Sequence, residues 1–441
     1  MLIQKNMKRK EISNLLKWKE SNDRKPLIIQ GPRQVGKTWL MQEFGSLYYE
    51  NTVYIDFEAD LNLDNLFSKN LNAKDLISAI EALKKVKVKP DKTLIIFDEI
   101  QAVPRALTSL KYFYEQANNY HIIVSGSLLG ISLMKNASFP VGKVDFLKLN
   151  PLTFAEFLLA TKNDKLFKFL EEKKFDIVSS LKNNYFNLLK QYFLVGGMPE
   201  AVSSYITNND YEKVKKIQSN ILTSYESDFS KHSLNYSVPK LRLVWSSIIS
   251  QLAKENKKFV YKLLKSGARA SEYENAIMWL SDYGIIHKVN RSNAPNLLPL
   301  KAYEDYKSFK LYMSDIGLLC CKANINQSLI FEDNKLFSIF NGALTEQYVC
   351  QQLACNENLN FCYYSNKKNT LEIDFIIQHD NTVFPLEVKS SLNTKSKSLK
   401  SFDQIFNPEK IFRTSLHDFQ KQGKITDFPL YAINQIFTKE N

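Results

Sequence analysis

Glycine and proline are scarce, with 13 of each in 441 residues. That rules out collagen-like and proline-rich architectures, and no low-complexity linker or internal repeat interrupts the chain. Cysteine is also rare. Its five positions (Cys320, Cys321, Cys350, Cys355 and Cys362) contain no CxxC pair matched to a second pair or to histidines at zinc spacing, so neither a zinc ribbon nor a disulfide framework is expected. An odd number of cysteines in a chain this long reads as buried, reduced thiols. No apolar run approaches the ~18 residues of a membrane span, and the opening MLIQKNMKRKEISNLLKWKE has no apolar signal segment. The expectation is a cytoplasmic protein without a membrane partner. The composition is otherwise ordinary, 44% apolar and 24% charged, and the length suggests two to four domains with sizeable cores.

Negative charge is in deficit. The formal net charge is +13, and the excess is unevenly spread. Between Lys231 and Lys322 there are 15 basic residues against 7 acids, while the last hundred residues are close to neutral. Clustered lysine and arginine release counterions from a phosphate backbone, so DNA or RNA is a candidate partner. A lysine-rich solvated surface explains the same excess about as well.

Leu27 to Gln30 form a short apolar run followed at once by Gly31–Thr38, GPRQVGKT, and then by Trp39, Leu40, Met41 and Phe44 at helical spacing. Strand, glycine loop and helix are the context in which G-x4-G-K-[ST] binds phosphates. Gly31 and Gly36 let the backbone wrap closely, and Pro32, Arg33, Gln34 and Val35 complete the loop, whose N–H groups point at the nucleotide. The start of the helix adds its positive dipole end. Lys37 reaches the β- and γ-phosphates, and Thr38 offers a hydroxyl to magnesium. The expected ligands are ATP and Mg2+.

A second apolar run, Thr93 to Phe97, ends in Asp98-Glu99. It has the character of a strand buried on both faces of a parallel sheet. Asp98 is placed to hold hydrated magnesium and Glu99 to polarise the attacking water. A third run, His121 to Val124, leads into Ser125-Gly126-Ser127. Ser125 and Ser127 are candidates for a polar sensor at that strand's tip, with helix capping by Ser127 the equal alternative. Val53 to Phe57 supplies another strand. Helices near 73–86 and 104–118 alternate with these strands, giving an α/β parallel sheet.

After Pro151 the pattern turns helical to about residue 230. Trp245 to Val289 reads helix, turn, helix, strand, an arrangement common in winged helix-turn-helix modules; a lid or protein-interaction domain fits equally. In the last segment Asp374 lies on one expected strand, and Glu387 and Lys389 lie on the next. The two-residue spacing puts Glu387 and Lys389 on one face. This is the spacing of PD-(D/E)xK nucleases, in which Asp374 and Glu387 would hold magnesium and Lys389 would orient the water. Glu346, on an upstream helix, would complete the carboxylate set. A hairpin with salt-bridged surface charges explains the spacing about as well.

The strings GPRQVGKT, LIIFDEIQ, VSGSLLG, PLTFAEFL, GGMPEAV, KKFVYKLL, GARASEYENAIMWLSDYGIIHKV, PLKAYED, FKLYMSDIGLL, GALTEQYV, YYSNKKNTLEIDFII and PLEVKSS follow one another over nearly the whole chain. In them the sequence resembles the bacterial and archaeal AAA-type P-loop ATPases that carry a C-terminal domain of unknown function 4143. The resemblance implies nucleotide binding by Gly31, Gly36, Lys37 and Thr38 with Asp98 and Glu99. It also implies a nuclease-like C-terminal fold with Glu346, Asp374, Glu387 and Lys389 in the nuclease positions. Members of the family often carry Gly-Arg before PLTF, where this chain has Gly142-Lys143. If that arginine acts on a neighbouring subunit's nucleotide, lysine lacks its planar fork. The expected organisation is an N-terminal helix over 1–22, an AAA+-type ATPase domain over 23–160, a helical lid over 161–235, a winged helix over 236–325 and a nuclease-like α/β domain over 326–441. The expected function is ATP hydrolysis coupled to a module acting on nucleic acid; the alternative is an ATP-driven switch acting on a protein partner.

Overall fold

Period-two alternation in the apolar runs builds the first of two compact units. The computed structural model describes residues 7–60, 63–126, 139–232, 237–330, 335–391 and 397–437. The first unit comprises Arg9–Asn150 with Asp282–Gly284. Strands β1 (Leu27–Gln30), β2 (Asn51–Asp56), β3 (Thr93–Asp98), β4 (His121–Ser125) and β5 (Asp145–Lys148) form a sheet in the order β2-β3-β4-β1-β5, each pair parallel. On one face Leu27, Ile29, Leu94, Ile96 and Ile123 pack with Leu40, Met41 and Phe44 of the helix Lys37–Tyr48. On the other face Ile28, Ile95, Phe97, Ile122 and Val124 pack with the helices Ala73–Lys84 and Pro104–Gln116. A strand covered on both sides has no polar face, which is why TLIIF reads as continuously apolar. Local signals set the helix starts: the Asn72 side chain accepts from the N–H groups of Lys74 and Asp75, and Pro104 occupies the first turn of its helix. The N-terminal helix, Glu11–Glu20, is not a separate element. Its Leu15 and Trp18 belong to the same core cluster as β1.

The second unit holds Pro151–Ser281 and the chain from Ile285 onward. Helices Phe154–Ala160, Asp164–Glu171, Phe175–Ser180, Lys182–Val195, Pro199–Asn208 and Tyr211–His232 fill its first part. The PLTFAEF string is a capping box: Thr153 Oγ1 accepts from Glu156 N at 3.2 Å, and Glu156 Oε2 accepts from Thr153 N at 2.8 Å. Helix Val238–Leu252, a short 3-10 turn Tyr261–Leu263, helix Ala270–Asp282 and the antiparallel hairpin of β6 (Ile286–Ser292) with β7 (Glu304–Met313) follow. The hairpin is not free. β6 also pairs in parallel with β8 (Asn360–Ser365), and the sheet continues through β9 (Glu372–His379), β10 (Thr382–Val388), β11 (Ile411–Ser415), β13 (Ile425–Pro429) and β12 (Gln420–Gln422). The expected boundary at 325/326 therefore falls within one eight-stranded sheet.

Several of the sequence strings meet at Asp315, which is buried. Its Oδ2 accepts from Gly197 N at 2.6 Å and from Gln351 Nε2 at 3.3 Å, and its Oδ1 accepts from Leu318 N at 2.9 Å. A Cβ on Gly196 would sit 2.2 Å from Asp315 Oδ1, and one on Gly197 would sit 2.2 Å from the Leu152 carbonyl oxygen. GGMPEAV, MSDIGLL and GALTEQYVCQQ are thus one polar hub. Burial pushes the Asp315 carboxyl up to about 6, and the hydrogen bonds it accepts hold it from rising further. All five cysteines are free thiols, four of them buried. Among the described residues no helix is long and apolar enough to cross a membrane.

Candidate functional site

The loop after β1 depends on backbone that glycine alone adopts cheaply. Gly31 has φ 153°, Gly36 has φ 96°, and a Cβ on Gly31 would lie 2.2 Å from the Leu149 carbonyl oxygen. Gly36 opens the helix Lys37–Tyr48 with no side-chain cap, so the first N–H groups of the helix are available to an anion. Val35 is fully buried in the core, which leaves its backbone as its contribution to the loop. Pro32 is buried, Arg33 half-buried and Gln34 exposed at φ 64°. Lys37 is buried and folds back on its own loop, donating to the carbonyls of Gly31 at 2.8 Å and Pro32 at 2.9 Å. Burial lowers its pKa to about 8, against the opposing pull of Glu99 and Asp98.

Asp98 is the centre of the arrangement. Its Oδ2 accepts from Thr38 Oγ1 at 2.6 Å and from Tyr54 Oη at 2.9 Å. Its Oδ1 accepts from the Ser125 hydroxyl and from Glu99 N at 3.1 Å. Sheet order explains the convergence: β3 lies between β2, which carries Tyr54, and β4, which ends in Ser125. Glu99 is half-buried, sits at φ 51°, and accepts from the Gln101 side-chain amide. Ser125, expected as a sensor, holds the Asp98 carboxylate; Ser127 lies outside the described residues. Sequence reasoning missed Tyr54. The available signal was a polar side chain inside the VYIDF strand, and burial next to Asp98 raises its phenol above the ordinary range. Lys143 pairs with Glu115 at 3.2 Å and lies over the Tyr114 ring.

A second cluster lies in the C-terminal sheet. β9 and β10 are antiparallel with Leu386 opposite Phe375, so Asp374 and Glu387 come next in register. Asp374 Oδ2 accepts from Val388 N at 2.8 Å, and Lys389 Nζ lies 2.9 Å from Glu387 Oε1. The alternation expected for Glu387 and Lys389 is therefore present. Glu346 does not stand open as a further metal ligand. It is buried between Lys257 Nζ at 2.9 Å on Oε2 and Lys310 Nζ at 2.9 Å on Oε1, with the Tyr312 hydroxyl also donating to Oε1. Lys310 reaches Glu372 as well, at 2.7 Å. The lysines overcome the burial penalty and pull Glu346 down to about 2, whereas burial and the neighbouring Glu346 push Asp374 up to about 7. Among the described residues no group of three or more His, Cys, Asp or Glu side chains is arranged to hold a metal ion. Two basic residues counted toward the charged middle segment, Lys257 and Lys310, are thus internal counterions rather than surface charge. No spacing rule marked them, because their partner lies on a distant helix.

Three stretches of the chain match known families. Residues 23–158 match the family described as AAA domain, residues 186–329 match domain of unknown function 8612, and residues 341–433 match domain of unknown function 4143. An uncharacterised protein of Methanocaldococcus jannaschii, MJ1637, is 29% identical over 203 residues, 45% of this chain and 38% of that relative, so the match spans well under half of the relative's length. Among solved structures, the Walker-type ATPase PABY2304 of Pyrococcus abyssi aligns at TM-score 0.44 and 15% identity, covering 72% of this chain and 96% of that chain. The Aeropyrum pernix ORC1 protein, solved in complex with DNA, aligns at TM-score 0.29 and 10% identity over 73% of this chain and 94% of that chain. The RuvB Holliday junction branch migration motor of Thermotoga maritima aligns at TM-score 0.30 and 12% identity over 65% of this chain and 93% of that chain.

Proposed function

We propose that this chain, an AAA-type P-loop ATPase with a C-terminal DUF4143 domain, hydrolyses ATP and uses the nucleotide state to control its C-terminal module. The observation that carries the reading is the Thr38–Asp98 link at 2.6 Å. It brings together two hard oxygen donors of the kind Mg2+ selects, beside a loop in which a Cβ at Gly31 would not fit. When bound, magnesium would neutralise charge on the β- and γ-phosphate oxygens. The residues of the chain do the rest. The Lys37 ammonium leaves the Gly31 and Pro32 carbonyls to meet phosphate oxygens. Tyr54 and Ser125 hold the Asp98 carboxylate in place. Glu99, once released from Gln101, polarises the attacking water through its carboxylate. Turnover of ATP by wild type and by Lys37→Ala tests this reading, which is abandoned if the two rates agree. Five free thiols fit a reducing cytoplasm.

The C-terminal module is read as nuclease-like. Support comes from the order helix Lys335–Ala354, β8, β9, β10, helix Lys397–Phe406, β11, with Asp374 on β9, Glu387 on β10 and Lys389 directly after it. The substrate class consistent with that set is a phosphodiester, and Lys262, Lys265 and Arg269 are exposed in the adjoining module. A switch acting on a protein partner is the second reading, and one observation favours it. The helix Ala270–Asp282, which a winged helix would place in a DNA groove, exposes Glu272, Glu274, Asn275 and Met278. Two carboxylates there would face phosphates. Binding of DNA and RNA across a salt series separates the two readings, since a phosphate interface has a steep salt slope and a protein interface leaves nucleic acid unbound.

A further inference from the structure

Lys257 is a buried ammonium on an otherwise exposed turn. Ala253, Glu255 and Asn256 face solvent, yet Lys257, at φ 50°, is only 9% exposed and directs Nζ to Glu346 Oε2. The two lysines on Glu346 differ in attachment. Lys310 belongs to β7 and is tied to Glu346 and Glu372 together. Lys257 is paired with Glu346 alone among the described residues and lies outside the strands, on the turn that follows the helix Val238–Leu252. A second observation points to an incoming cation. Glu387 is 6% exposed, and its Oε2 is buried with no hydrogen-bond partner while Oε1 takes Lys389. An orphaned buried carboxylate oxygen is costly unless a positive group meets it.

We propose that Lys257 is a tethered, displaceable counterion: it closes the cluster of Glu346, Asp374 and Glu387, and a divalent cation enters when the 253–258 turn withdraws it. This rests on the nuclease-like reading above and gives that site its regulation. Charge balance supports the exchange. Glu346, Glu372, Asp374 and Glu387 supply four carboxylates, and Lys257, Lys310 and Lys389 supply three ammonium groups. Replacing Lys257 by a divalent ion brings the balance to zero with all four carboxyls ionised, the form that a cation beside Asp374 favours. Release of Glu346 from Lys257 also frees its Oε2 for the incoming ion. The segment carrying Lys257 lies between the helix Val238–Leu252 and the turn Tyr261–Leu263, so displacement of that segment alone opens the cluster.

The test is a Mn2+ titration of the nucleotide-free 441-residue chain, read from the signal of free Mn2+, with Asp98→Asn present throughout to remove metal bound at the proposed nucleotide site. Lys257→Met is expected to bind Mn2+ at least tenfold more tightly than the Lys257 chain. Lys257→Arg, which keeps the charge, is expected to match the parent. Asp374→Asn added to Lys257→Met is expected to abolish the gain. If the parent already binds Mn2+ as tightly as Lys257→Met, and Asp374→Asn removes both, the cluster is a metal site and the closure by Lys257 is wrong. If neither binds, or if the gain survives Asp374→Asn, the nuclease-like reading itself fails and takes the closure with it. Should Lys257→Met melt below the assay temperature, Lys257→Gln, which keeps a donor toward Glu346, replaces it with the same outcomes.

Discussion

Thr38 Oγ1 donates to Asp98 Oδ2 at 2.6 Å, joining two residues sixty positions apart. That contact links the end of the Gly31–Thr38 loop to the end of β3, and it makes the proposed nucleotide site a single object rather than two motifs. Its consequences are measurable at each participating group.

Lys37→Ala should weaken ATP binding by roughly ten- to a hundredfold, the worth of a charge-assisted hydrogen bond, and should abolish turnover. Nucleotide affinity by fluorescence and hydrolysis by phosphate release report the two effects separately.

Nucleotide affinity should also depend on alkaline pH. Burial lowers Lys37 to about 8 in the free protein, below its unfolded value. The folded chain therefore gains stability relative to the unfolded one as pH rises from about 8 toward 10.5. Phosphate contact requires the ammonium form, so binding takes up a proton above pH 8 and the affinity falls by up to about tenfold per pH unit there. An affinity flat between pH 7 and pH 10 would remove Lys37 from phosphate contact.

Glu99→Gln should bind ATP normally and hydrolyse it about a hundredfold or more slowly, the usual scale for losing a general base. Tyr54→Phe should behave differently, raising the magnesium concentration needed for half-maximal turnover while leaving Glu99 in place. A Tyr54→Phe enzyme with unchanged magnesium dependence would show that Ser125 and Thr38 suffice to hold Asp98.

Asp315→Ala should destabilise the second unit by about 3–5 kcal/mol, because the Gly197 and Leu318 N–H groups and the Gln351 amide lose a buried acceptor together. The pH dependence has a definite sign. The folded carboxyl titrates near 6, above its unfolded value near 3.8, so the folded state binds the proton more tightly and this group adds stability as pH falls from about 6 toward 4. Melting curves of wild type and Asp315→Asn between pH 7 and pH 4.5 should differ in slope by that contribution.

Charge reversal at Lys262, Lys265 and Arg269 should weaken nucleic-acid binding across all sequences and flatten its salt dependence if the middle module contacts phosphates. These three are exposed. Lys257 is unsuited to the experiment, since its reversal would put a carboxylate against Glu346. Equal affinity of wild type and triple variant would leave the exposed charge as a solvated surface.

The sequence alone determined what depends on local chemistry. GPRQVGKT between a strand and a helix specifies a phosphate loop, because the glycine conformations, the lysine and the hydroxyl are all encoded within eight residues. TLIIFDE specifies a strand with two buried faces and an acid at its tip. Glu387 and Lys389 share a face because a strand alternates. Tertiary structure decided what depends on partners remote in the chain. Strand order brings Tyr54 and Ser125 to Asp98. The Gly196-Gly197 turn proved to be a docking site for Asp315, 118 positions away from Gly197. Lys257 and Lys310 counted as members of a basic segment until the fold placed them on Glu346. A charge in a sequence has a sign but no address, and only packing determines whether it faces water, a phosphate or a buried carboxylate.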